Sequence, residues 1–364
     1  MGDSKRIASI DILRGFDMLM IIFADRFFAS LHKGADTTFT RFLAKQFDHP
    51  DWFGSTFYDL IMPLFLFVVG AVIPFSIGKK IEQEVNSSTL YRKLVKRFLI
   101  LFVLGWIVQG NLLALDSTEF NIFNNTLQAI AVGYFFSVLS YIHLTKRWRY
   151  IAFVACLVTY IGFLTLPYLP EIGRSRLLPD ENYAIYFDRL ILGRFQQYGS
   201  QYSWLLTGLG FTATTLSGVF AGELIKSKLP RKKVAMWLLV YGIAGILLGL
   251  IVAQFHPIVK KIWTSSFVLA SSGVCFLLMA LFYWIIDIKG KDKWTFPLKV
   301  IGMNAITAYV LSHVFNFSEI SNYILFGIAQ YSGDYHEMIS SIGGFGILYF
   351  ILWYMYKKKT FIKV

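Results

Sequence analysis

Apolar runs of about twenty residues recur along this chain, separated by short polar stretches rich in lysine and arginine. About ten such runs fall near 9–30, 58–78, 94–115, 123–144, 150–168, 204–226, 234–255, 263–286, 297–316 and 341–356. Twenty helical residues at 1.5 Å each span roughly the 30 Å of a bilayer's hydrocarbon. Inside lipid each backbone amide must find its partner within the protein, and a lone apolar run can do so only as a helix. The alternating segments of about ten residues that mark a membrane barrel are not seen. The pattern predicts an all-α, polytopic helical bundle, a single domain over 1–364 with about ten transmembrane helices.

Composition sharpens this picture. Only 16% of the 364 residues are charged and 56% are hydrophobic, whereas soluble domains carry about 25% charged residues. The net charge of +13 would suggest nucleic acid in a soluble protein. Here the basic residues gather in alternate loops, which is what fixes membrane orientation. Lys79, Lys80, Arg92, Lys93, Lys96 and Arg97 follow the second run, and Lys146, Arg147 and Arg149 the fourth. Similar clusters follow the sixth, eighth and last runs. Those loops are assigned to the cytoplasm, which makes both termini cytoplasmic and leaves no role for nucleic acid. Lys260 and Lys261 are the exception on the outer side. Loops 31–57, 169–203 and 317–340 then lie outside, long enough to build a rim or lid. The first run follows Lys5 and Arg6 but contains Asp11, Arg14, Asp17 and Asp25, so it reads as a span and not as a cleavable signal. Cys156 and Cys275 fall inside runs and read as small packing residues.

Candidate chemistry concentrates near the membrane surface. His49 lies in Asp48-His49-Pro50-Asp51-Trp52-Phe53-Gly54, just before the second run and on the predicted outer side. Its imidazole exchanges protons near neutrality and suits a general base or acid; it equally fits a loop histidine packed by Trp52. Asp59 is placed to orient that ring, or else serves the helix start through the dipole. In the first run, Arg14 and Asp25 are eleven residues apart, nearly on one face of an ideal helix and ~16 Å apart along it. With Asp11 they outline a polar stripe, although Asp11 and Arg14 also fit a plain i,i+3 interfacial pair. Pro63 and Pro74 in the second run imply kinks. Asn124, Asn125 and Gln128 open the fourth run, and Asn304, Thr307 and His313 mark the ninth. Asn304 and His313 fall on opposite faces of an ideal helix and need a break to share a cavity. Each of these polar groups is alternatively a hydrogen-bonding contact between helices. P-loop, GxSxG, HExxH and CxxC patterns are missing, and the scattered histidines suggest no metal site.

A family resemblance joins these fragments. Arg6-Ile7-Ala8-Ser9-Ile10-Asp11-Ile12-Leu13-Arg14-Gly15 resembles the R-x-x-S-x-D-x-x-R-G opening of the heparan-α-glucosaminide N-acetyltransferase family, transmembrane acyltransferases with bacterial members. His49 to Gly54 is similar to its H-x-x-W-x-G element, and Asp59 to Gly70 to its D-L-x-x-P-x-F-x-F-x-x-G span. Leu127-Gln128 with Tyr134, Gly218 to Gly222, Trp263-Thr264-Ser265-Ser266, Asp287-Ile288-Lys289-Gly290 and Gly302-Met303-Asn304-Ala305 follow in order. The resemblance implies a membrane acetyltransferase that takes acetyl-CoA from the cytosol and acetylates the amino group of a glucosamine-type sugar or glycan on the far side. It implies residence in a bacterial inner membrane, with His49 periplasmic as base or transient acyl carrier. Asp25 and Asp59 are its catalytic companions, and Asp25 and Trp52 the acceptor's contacts. Arg14, Gln128, Asn304 and His313 are the candidates for holding acetyl-CoA, and no metal is expected. The family's active-site asparagine falls near Asp25, where a carboxylate can pair with an ammonium. Its D-P-E-G element is replaced by Gln201-Tyr202-Ser203-Trp204. The alternative from the residues is an amino-sugar transporter without acyl transfer, since buried polar groups and interrupted helices also build transport sites. Aromatic-rich helices suit membrane lipids as partners and allow a homodimer.

Overall fold

The apolar runs of the sequence are mostly helical in the structure, a computed structural model that describes residues 7–84, 86–170, 173–196 and 201–362. Arg6, which opens the first motif, lies outside the described residues. The helices are α1 (Ala8–Leu19), α2 (Asp25–Gly34), α3 (Thr38–Gln46), α4 (Ile61–Glu82), α5 (Ser87–Val108), α6 (Thr126–His143), α7 (Lys146–Thr165) and α8 (Tyr183–Leu192). There follow α9 (Gly208–Lys226), α10 (Arg231–Ala253), α11 (Ser265–Phe282), α12 (Phe296–Met303), α13 (Ala305–Val314), α14 (Phe317–Ile324), α15 (Ala329–Ser332) and α16 (His336–Lys357). The strands among the described residues are the two-residue pair Tyr168–Leu169 and Gly173–Arg174, joined antiparallel.

Among the described residues, six helices are long and apolar enough to cross a membrane: Tyr58–Glu82, Thr126–His143, Lys146–Thr165, Arg231–Ala253, Ser265–Ile288 and Phe326–Lys357. The expectation of ten rested on four more runs, and each falls short for a visible reason. The first carries Asp11, Arg14, Asp17 and Asp25. The helix α5 begins with Arg92, Lys93, Lys96 and Arg97. The helix α9 is threaded with Thr212, Thr214, Thr215 and Ser217, all buried. The ninth run is cut in two at Asn304, whose backbone (φ −117°, ψ 24°) leaves helical geometry between α12 and α13.

The described residues divide into two units. One comprises 7–50, 55–61 and 282–362, and holds α1–α3 and α12–α16. In it α1 runs into α2 through a π-helical segment, Met20–Ala24. A π turn takes in extra residues, so the 100° count that put Arg14 and Asp25 on one face does not carry across it. The helices α1 and α12 cross at two motif glycines. A Cβ on Gly15 would stand 1.8 Å from the Leu298 carbonyl oxygen, and one on Gly302 2.2 Å from that of Asp11. Backbones approach this closely only where side chains are missing.

The other unit comprises 51–54 and 62–281, and holds α4–α11. Its centre is α9, buried along most of its length. A Cβ on Gly218 would meet the Phe67 carbonyl oxygen of α4 at 1.9 Å, and one on Gly222 that of Ala71 at 2.2 Å. The buried Asp188 of α8 accepts from the backbone N–H groups of Trp204 (2.5 Å) and Leu205 (3.1 Å), and so ties the segment before α9 in place. Burial pushes this carboxyl up to about 6. The Trp263-Thr264-Ser265-Ser266 motif is a helix entry: Thr264 Oγ1 accepts the Val259 N–H at 3.0 Å, and the Trp263 indole donates to Thr214 Oγ1 at 3.1 Å.

Candidate active site

The loop before α4 brings a histidine and a carboxylate into direct contact. His49 Nδ1 lies 2.6 Å from Asp59 Oδ1. Asp59 is wholly buried, while the His49 side chain is 38% exposed. When Asp59 is ionised it can only accept, which requires the proton on Nδ1 and puts the accepting lone pair of the ring on Nε2. The loop's own hydrogen bonds hold this pair. The Thr56 N–H donates to Asp59 Oδ2 at 3.0 Å, the Thr56 hydroxyl to the Asp48 carbonyl at 2.7 Å, and the His49 N–H to Asp48 Oδ1 at 2.8 Å. Short polar residues fold the chain back on itself here, as aspartate and threonine do in turns. The Tyr58 ring lies 5.1 Å from the imidazole, centre to centre.

Tyr58 also links His49 to a second group. Tyr58 and Asp25 both line a cavity of about 220 Å³ with Arg26, Ser312, His313 and Phe345. Asp25 Oδ1 accepts the Arg26 N–H at 2.6 Å, and the Arg26 guanidinium donates to Asn316 Oδ1 at 3.3 Å. His313 Nδ1 donates to the Tyr309 carbonyl at 2.9 Å. This small chamber offers one carboxylate, one guanidinium, one imidazole and a phenol beside aromatic walls. Such a mixture suits a polar small molecule with an amine and hydroxyls.

The structure thus brings His49, Asp59 and Asp25 near one another through Tyr58, and adds His313. Tyr58 and Arg26 were not singled out from sequence. Arg26, a charge beside Asp25 in an apolar run, was a readable signal; the position of Tyr58 emerges only from the fold. The remaining candidates are engaged elsewhere. Arg14 pairs with Asp11 at 3.5 Å, the interfacial-pair alternative. Asn304 Nδ2 donates to the Val300 and Leu352 carbonyls at 3.1 and 3.4 Å, and its buried Oδ1 has no hydrogen-bond partner among the described residues. The break at Asn304 exists, yet of the two residues it separates only His313 lines the cavity. Gln128 and Trp52 belong to the other unit. Gln128 is buried, its amide donating to the Ile122 carbonyl (2.8 Å) and accepting from the Asn124 N–H (2.9 Å). Trp52 is 7% exposed and packs with Tyr160, Ile185 and Ile262. Its indole donates to the Leu177 carbonyl at 2.8 Å. Gly54, at φ +96°, hydrogen-bonds the Ile258 carbonyl. The tryptophan and glycine of the H-x-x-W-x-G element are anchors.

Residues 6–174 match a family model described as a domain of unknown function (DUF5009), a stretch that contains Asp25, His49 and Asp59. The chain is also similar to heparan-alpha-glucosaminide N-acetyltransferase of Mus musculus, 24% identical over 420 residues that cover 100% of this chain and 61% of that protein. The Homo sapiens protein of the same name is 23% identical over 416 residues, covering 99% and 60%. The resemblance carried by the motifs therefore runs the whole length of the chain, and the chain spans about 60% of the length of these curated relatives.

Proposed function

We propose that this chain is a membrane acetyltransferase that moves an acetyl group from acetyl-CoA to the amino group of a glucosamine-type acceptor, with His49 as its base. The observation that carries the reading is the 2.6 Å contact between a half-exposed imidazole and a buried carboxylate. A carboxylate on Nδ1 holds the ring in one tautomer and stabilises the imidazolium that forms when Nε2 takes a proton. The similarity to two N-acetyltransferases supplies the reaction class.

In the direct route the acceptor amine attacks the thioester carbonyl. His49 Nε2 removes a proton from the attacking nitrogen, the C–S bond breaks, and the departing thiolate takes that proton back from the imidazolium. The products are the amide and free CoA. In the second route Nε2 itself attacks the thioester carbonyl and the C–S bond breaks, leaving acetyl-imidazolium and the CoA thiolate; the amine then attacks the acetyl carbon, the C–Nε2 bond breaks, and the amine's proton passes through the freed Nε2 to the thiolate. Asp25 is proposed to pair with the acceptor's ammonium before it loses its proton, and Tyr58 to hold Asp25 beside His49. His313 shares the Asp25 cavity and is the candidate there for meeting the acyl group. Arg14 and the basic loops suit the donor's phosphates. Gln128 and Asn304 are proposed to shape the donor's path by holding helix ends, and Trp52 to anchor the loop that presents His49.

The proposed topology has ten crossings, both termini in the cytoplasm and His49 on the outer face of a bacterial inner membrane. The burial of the polar residues of α9 supports counting it as a span, because polar groups sheltered inside a bundle escape the cost of lipid exposure. Purified protein incubated with radiolabelled acetyl-CoA and a panel of amino sugars tests the reading. Labelled N-acetyl sugar is expected; label on the protein in the absence of sugar selects the acetyl-histidine route. No labelled sugar from any amine in the panel would overturn the assignment.

A further inference from the structure

Beside the Asp25 cavity lies a larger one, of about 660 Å³, between α2 and the segment from Asn316 to Ser341. Arg26, Ser318 and Ser341 line both, so the two chambers are neighbours that share these residues. The smaller falls below the roughly 300–1,000 Å³ of ordinary small-molecule sites and the larger falls within that range. We propose that the larger cavity is a second saccharide subsite, and that it selects an unsulfated, amine-bearing oligosaccharide over a polyanionic glycan. The proposal rests on the acetyltransferase reading and names the acceptor class for it.

Three observations support this subsite. Its lining is dominated by hydrogen-bonding side chains, among them Asn316, Glu319, Asn322, Asp334 and His336. Sugar hydroxyls are met by planar amides and carboxylates of this kind. Ser340 lines the cavity at 6% exposure, and its hydroxyl has no hydrogen-bond partner among the described residues. A buried polar group without a partner is costly to the fold, and a ligand hydroxyl would relieve that cost. The third observation is the balance of charge. Lys33 is paired with Glu337 at 2.7 Å, and the Arg26 guanidinium of the lining stands against two carboxylates, Glu319 and Asp334. The exposed carboxylates of Glu319 and Asp334 then set the sign of the mouth. A sulfated sugar brings negative charge toward them and is repelled, whereas an ammonium-bearing sugar is attracted.

Calorimetric titration of the full-length protein with β-linked glucosamine mono-, di- and trisaccharides, and with a sulfated disaccharide bearing a free amine, tests this without needing turnover. The disaccharide is expected to bind at least about tenfold more tightly than the monosaccharide, with little further gain for the trisaccharide. The sulfated disaccharide is expected to bind more weakly than the unsulfated one. Glu319→Gln/Asp334→Asn, both on exposed residues, should erase most of the disaccharide's advantage and leave monosaccharide affinity unchanged. Ser340→Ala should lower disaccharide affinity alone, by about three- to tenfold. Equal affinity for mono- and disaccharide, or sulfated and unsulfated disaccharides binding alike, would overturn the subsite even if acetylation proceeds. A length-dependent gain erased by these variants, without transfer from acetyl-CoA, would instead uphold the subsite and reject the acetyltransferase reading.

Discussion

At the scale of single residues, the account turns on a proton. Asp59 touches His49 through one oxygen and the Thr56 N–H through the other. Asp59→Asn keeps the size of the side chain but can present an N–H where the imidazole needs an acceptor, which favours the wrong tautomer. We expect kcat for acetyl transfer to fall by about 100-fold or more while KM for the sugar changes little, as measured by initial rates. A second residue answers to pH in the opposite unit. His256 is fully buried, and neither ring nitrogen has a hydrogen-bond partner among the described residues. Burial without a partner lowers its pKa from 6.5 to about 4. The unfolded chain therefore takes up the proton first, and stability is lost as pH falls from about 6.5 toward 4. Thermal unfolding of detergent-solubilised protein should show this loss, and His256→Leu should shrink it. A slope that is the same in both proteins would contradict the assignment. His49 and Asp59 were legible because a titratable ring and a carboxylate stood beside an apolar run. Tyr58 was not, since its place beside Asp25 in one cavity joins positions more than thirty residues apart and leaves no local pattern.

At the scale of helices, much of what makes the motifs recognisable is packing. Gly15 and Gly302 let α1 and α12 meet, and Gly218 and Gly222 seat α9 on α4. Gly15→Ala places a methyl against the Leu298 carbonyl, a clash no side-chain rotation relieves. A loss of about 1–3 kcal/mol is expected, read as a lower unfolding temperature, whereas Gly290→Ala, with open space around its Cβ position, tests the strain of a positive φ alone. An unchanged melting temperature for Gly15→Ala would show that the crossing yields easily. Periodicity located the helices well because burial and lipid impose it directly. It failed where a helix departs from 3.6 residues per turn. The π segment Met20–Ala24 changes the helical phase between Arg14 and Asp25, and the backbone leaves helical geometry at Asn304, between α12 and α13.

At the scale of the whole chain, the open quantity is how many helices cross the membrane. Length and apolarity identify six among the described residues, whereas the charge alternation of the loops calls for ten and for cytoplasmic termini. Polar residues sheltered in α9 and charged residues gathered in the first half of α5 lower the mean hydropathy of those helices, and a bundle interior tolerates them. Single cysteines introduced for labelling with an impermeant thiol reagent decide between these counts. With Cys156 and Cys275 replaced, Ser88→Cys should label only from the cytoplasmic side and Asp334→Cys only from the outside; labelling of both from one side would reject the orientation. The most direct measurement of the central claim is the rate of acetyl transfer from labelled acetyl-CoA to glucosamine by the wild-type protein and by His49→Ala, purified in parallel and matched for unfolding temperature. We predict a loss of about 1,000-fold or more in the variant; a variant that acetylates at the wild-type rate would contradict the role of His49.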